Sequence, residues 1–135
     1  MLSGMRALIA LCFVVPGFIN LAPIVGLRGA GTLHRLYGVS AVSGDLALLL
    51  QHRAVLFGII GGLLLAAAVQ PNLRLAAALA GLVSMLSFTA LAFSIEGVGA
   101  PLLRIAWIDV AASAALVRGL VPDYARVASS SPNVV

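Results

Sequence analysis

Asn20, His52, Arg53, Glu96, Arg104 and Asp109 are the residues whose types could do chemistry here, because each lies within or beside a long apolar stretch. A carboxylate accepts hydrogen bonds or takes up a proton, a guanidinium offers five donors in a planar fork, and an imidazole or amide can do both. Brought together, such groups could bind a lipid headgroup, a quinone or a proton. They could equally form a buried ion pair that fixes helix register and orientation. Ionisable groups at membrane depth lean towards function, whereas proximity to water makes a structural role cheaper, so both readings stay open.

Other chemistry finds little support. His34 and His52 could join Asp109 or Glu96 on a metal, or ligate haem, but no HxxxH or HExxH spacing exists. There is no glycine-rich phosphate loop, no G-x-S-x-G elbow and no Cys–His constellation. The serines of the third apolar stretch suit packing or bonding to their own helix carbonyls better than nucleophilic attack. Cys12 is the single cysteine, so no intrachain disulfide is possible. Neither a catalytic residue nor a cofactor is expected, and no metal site.

Composition says where these residues must be held. Hydrophobic residues make up 62% of the 135-residue chain and charged residues 9%, against about 45–50% and about 25% in soluble domains. A chain this short cannot bury so much apolar side chain in one core, so lipid must cover much of it. All eight cations are Arg, spread singly, and only four acids oppose them. That pattern suits flanks of membrane spans and offers no basic face for nucleic acid.

Four stretches approach the roughly 20 residues a span needs: about 5–25, 46–69, 75–95 and 101–121, with 122–135 as a polar tail. Ser43-Gly-Asp45 makes a plausible N-cap for the second, which carries His52 and Arg53 about two turns inside it. Gln70-Pro-Asn-Leu-Arg74 and Glu96-Gly-Val-Gly-Ala-Pro101 are tight turns. The connection 28–44 is the one long linker, and within it Thr32 to Gly38 suits a short interfacial helix with His34 and Tyr37 near headgroup depth. Arg6 and the apolar run to Val15 mimic a signal peptide, but Asn20 spoils the cleavage site and the apolar stretch continues to Val25, so the first span is read as retained. The expected fold is an all-α, integral membrane four-helix bundle with that interfacial segment between spans one and two.

Threading the spans up and down places all six polar candidates near one end, B, opposite the N-terminal side, A. Asp109 lies five positions from Arg104, about 140° around a helix, so those two are poor partners. Arg53, at similar depth on span two, is the natural partner for Asp109. The cations divide evenly, with Arg6, Arg74, Arg118 and Arg126 at A and Arg28, Arg35, Arg53 and Arg104 at B. If the bundle encloses Arg53 and Arg104, side A leads, and both termini are expected in the cytoplasm. The small residues Gly58 and Gly62, and Ala77, Gly81 and Ser84, favour close packing within the bundle over an oligomer face.

Tyr37-Gly-Val39, His52-Arg-Ala-Val-Leu-Phe-Gly58, Pro71, Gly81-Leu-Val-Ser-Met-Leu-Ser-Phe88, Leu103-Arg104 and Asp109 resemble a group of small bacterial four-span membrane proteins, loosely DoxX-like in architecture. The resemblance covers roughly 28–117 and implies a bacterial cytoplasmic-membrane location. Some of that group bear the name pantetheine-phosphate adenylyltransferase. That enzyme is a soluble α/β protein with an HxGH motif, which neither His34-Arg-Leu-Tyr nor His52-Arg-Ala-Val matches. The expectation is a non-enzymatic accessory or scaffold subunit in contact with membrane lipids, in a larger membrane complex or a homo-oligomer. The alternative is a lipid- or quinone-handling protein, enzymatic or not, with a polar pocket at the B end.

Overall fold

Every one of the four apolar stretches forms a long helix in the computed structural model, which describes residues 2–38 and 43–130. In chain order the helices are α1 (Leu2–Leu21), α2 (Ala30–Tyr37), α3 (Gly44–Val69), α4 (Arg74–Ser94) and α5 (Ala100–Ser130). A 3-10 segment, Ala22–Arg28, extends α1, and a shorter one, Pro71–Leu73, makes the α3–α4 turn. No strand occurs among the described residues. The helices α1, α3, α4 and α5 are each long and apolar enough to cross a membrane. Contacts at Gly17–Leu65 and Gly58–Ile24, at Gly81–Leu64 and at Gly81–Leu116 run antiparallel, so the spans alternate up and down. α1 and α4 are each flanked by α3 and α5, which closes the bundle into a square.

Local chemistry sets the helix ends. Ser43 accepts a hydrogen bond from the Leu46 N–H at 3.3 Å and caps α3, one of the four donors a helix start leaves orphaned. Gly38 ends α2 at φ 69°, where its N–H bonds the His34 carbonyl at 2.8 Å. Only glycine adopts that left-handed backbone cheaply. A Cβ on Gly38 would stand 3.2 Å from the Pro101 ring, so α2 reaches the start of α5 at the B end. The expected interfacial segment is thus a helix. Val39 to Val42, also part of that connection, lie outside the described residues.

The interior is made of small residues keyed by a few large ones. Phe13, Leu64, Met85 and Leu116, one from each spanning helix, are fully buried, with Ala67, Ala77, Ala78 and Ala112 between them. The bulkier apolar residues mostly point outwards: Leu48, Ile59, Val83 and Trp107 are all more than 60% exposed. This inverts a soluble fold, and it follows from a solvent as apolar as leucine, where packing rather than water exclusion holds helices together. The tightest crossing joins α1 to α3. There a Cβ on Gly61 would lie 2.7 Å from the Gly17 carbonyl oxygen, while the neighbouring Gly62 faces open space. The close approach therefore uses Gly58, Gly61 and Gly17, and Gly62 takes no part.

Two expectations change. α5 passes through Pro122 and stays helical to Ser130, so most of the segment read as a polar tail prolongs the helix; residues 131–135 fall outside the described part. Arg104 is exposed and Arg74 is buried, which removes the premise behind the orientation argument. With Arg53 and Arg74 set aside, Arg6, Arg118 and Arg126 balance Arg28, Arg35 and Arg104, and the charge rule favours neither side.

The glycine crossing yields a matched test. Gly61→Val forces backbone apart and should cost about 1–3 kcal/mol, whereas Gly62→Ala should be neutral or slightly stabilising. Thermal unfolding in detergent reads the difference; equal melting temperatures would contradict the crossing.

Candidate functional site

Three of the six polar candidates meet in one place. Asn20 at the end of α1, Arg53 on α3 and Asp109 on α5 line a cavity of about 280 Å³. Its remaining walls are mostly apolar, with Pro23, Phe57, Met85 and Ile105 among them, so all four spanning helices contribute. Arg53 lies nine residues from the start of α3 and Asp109 nine from the start of α5, each about 13 Å along its helix. Matching depth is what lets two distant parts of the chain share a wall.

Each polar side chain is held differently. Asn20 is 5% exposed, and its Nδ2 donates to the Pro16 carbonyl at 3.0 Å. That bond leaves one amide N–H and the Oδ1 acceptor available to the cavity. The Arg53 guanidinium lies between two aromatic rings, 4.7 Å from the Phe57 centroid and 4.6 Å from that of Phe88. Cation–π contacts are worth about 2 kcal/mol or more when desolvated, and stacking leaves the planar N–H edge directed along the ring faces. Asp109 is 7% exposed and within electrostatic reach of Arg53. One turn deeper, Ser113 buries a hydroxyl that has no hydrogen-bond partner among the described residues. One turn shallower than Asp109, Thr89 on α4 donates to the Ala106 carbonyl at 3.4 Å and ties α4 to α5.

No family model, curated protein or solved structure matches the chain.

The other candidates lie elsewhere. His52, Glu96 and Arg104 are exposed, and none of them lines the cavity. Helical rotation accounts for two of them: His52 is about 100° from Arg53, and Arg104 about 140° from Asp109, so an inward partner turns each of them out. Glu96 sits in the turn beyond α4. His34 is exposed on α2, and the Tyr37 side chain lies outside the described part. Among the described residues no group of three His, Cys, Asp or Glu side chains could hold a metal ion.

Arg74 was missed as an interior group. It is 8% exposed, its Nε donates to the Ala67 carbonyl at 3.3 Å, and its guanidinium lies 6.0 Å from the Phe13 ring centroid. Ala67 belongs to the last turn of α3, whose carbonyls lack helical donors and carry partial negative charge. The signal was present: a cation in a tight turn directly after a helix end is well placed to cap it.

Removing one partner of a buried pair leaves an uncompensated charge, at a cost of about 3–5 kcal/mol, while replacing both with apolar groups is often nearly neutral. Asp109→Asn and Arg53→Leu should each lower the melting temperature in detergent, and Arg53→Leu/Asp109→Leu should recover much of the loss. Additive losses in the double variant would show that the two residues do not act on one another.

Proposed function

We propose that this protein is a ligand-handling membrane protein whose cavity receives the polar head of a membrane-soluble molecule. The observation that carries the reading is Asp109: an acidic residue only 7% exposed, within electrostatic reach of Arg53, on the wall of an open space. A carboxylate in hydrocarbon costs on the order of 2.5–3.5 kcal/mol even on the mildest insertion scales. A purely structural Asp109 and Arg53 would be expected to be packed over by neighbouring side chains, whereas both line a cavity.

The lining specifies the head. Arg53 supplies donors, Asn20 donors and an acceptor, and Asp109 an acceptor or, protonated, a donor. An anionic head would set a second negative charge against Asp109, so a neutral head bearing carbonyl and hydroxyl groups fits better than a phosphate or a fatty-acid carboxylate. A volume of about 280 Å³ is near the lower end of small-molecule sites, about 300–1,000 Å³. It takes a single ring or a glycerol-sized group, not a whole lipid. A benzoquinone head and an acylglycerol head share this chemistry. Among the described residues no nucleophile–base pair of the kind covalent chemistry needs stands beside Asp109 and Arg53, which favours binding or carriage over catalysis.

Native mass spectrometry of protein extracted with its membrane lipids tests the reading. Wild type should retain a stoichiometric neutral lipid or quinone, identified by its mass, and Arg53→Leu/Asp109→Leu should lose it while remaining folded. Retention of nothing, or equal retention by both proteins, would overturn the reading in favour of a scaffold whose ion pair serves a larger membrane assembly.

A further inference from the structure

Arg53 and Phe57 wall two spaces at once. One is the interior cavity; the other is a groove of about 460 Å³ on the outer side of the α3–α4 seam. The groove runs from Arg53 and Leu91, towards the B end, to Ile60 and Ala80 in the middle of the bundle. The stretch of α4 from Ala80 to Leu91 spans about 16 Å. Val83, on its wall, is 69% exposed and so faces lipid. Among the described residues Arg53 is its one charged lining residue, set at the end nearer the membrane surface. A long apolar trough with one polar end, beside a small polar chamber, has the outline of an amphiphile with a single tail.

The seam is held differently along its length. At the A end α3 and α4 are tied by the three-residue turn and by the Arg74 bond to Ala67. Taken over its whole length, the α3–α4 seam is the least extensive of the bundle's four, and towards B the Phe57–Arg53–Phe88 stack lies across it. Arginine and phenylalanine side chains change rotamer on far shorter timescales than helices move.

We infer that the cavity is loaded sideways from the bilayer through the α3–α4 seam, and that the hydrocarbon tail of the bound molecule remains in the outer groove. The inference rests on the ligand-handling reading above and adds the route and the single-chain class of ligand. The head passes the Arg53–Phe57 partition, while the tail need never leave an apolar surface.

Two probes test it in phosphatidylcholine vesicles: a 1-monoacylglycerol and an alkyl benzoquinone, each with a diazirine at the tail end. With whichever head the cavity accepts, photo-adducts should concentrate on Ile60, Ala80 and Val83. They should be lost in Ser87→Trp, which fills the groove from an exposed position and leaves the cavity lining intact. Adducts spread evenly over the outer surface, gathered at the α1–α5 groove around Leu8 and Cys12, or unchanged in Ser87→Trp would overturn the lateral route. If native mass spectrometry still showed the head retained, the cavity reading would survive that result. Absence of any retained head in wild type would overturn both.

Discussion

A carboxylate held about 13 Å along a membrane-spanning helix is the constraint to which much of this structure answers. Asp109 cannot face lipid cheaply, so α5 must turn it inward, and the inward face of α5 is thereby fixed. Arg53 stands at the same depth on α3, and Asn20 at the end of α1 completes the polar wall. The helices do not close over these groups as they do over Phe13, Leu64 and Leu116. They leave a chamber.

The two ends of the bundle solve opposite problems. In the middle of the bundle and towards A, small residues let the backbones meet: Gly61 lies against Gly17, and Ala67, Ala77 and Ala112 fill the space between spans. Arg74 caps the end of α3 there and secures the α3–α4 hairpin. Towards B large and polar side chains gather, and Arg53 is steadied by two phenyl rings. The short helix α2 lies across that end against Pro101. A tight half and an open half on one set of helices suit a molecule whose rigid part holds the shape while the other part admits a ligand.

Much of this was legible in the sequence, because the membrane leaves few choices. Charge scarcity and four runs of spanning length gave the fold class, and tight turns at Pro71 and Gly97 gave the up-and-down order. Depth was legible too, since counting residues from the turns places Arg53 and Asp109 level with one another. Direction around the helix was harder. His52 shares the depth of Arg53 but points outward, and Arg104 likewise lies outside the cluster it was grouped with. Threading supplies a height, whereas only the packing of neighbours supplies an azimuth. Arg74 escaped notice because a turn cation reads as solvated, although the carbonyls ending α3 gave it a reason to fold back. The continuation of α5 through Pro122 went unseen because proline usually stops a helix.

The central claim is that Asn20, Arg53 and Asp109 surround a ligand head and are not simply a polar plug. An experimental structure of the protein purified with its native lipids tests this most directly. Non-protein density is expected in the chamber, within hydrogen-bonding distance of Asp109 and Asn20, with the Arg53 guanidinium still between Phe57 and Phe88. An Arg53 side chain swung into a bidentate pair with Asp109, with the chamber filled by neighbouring side chains, would contradict it.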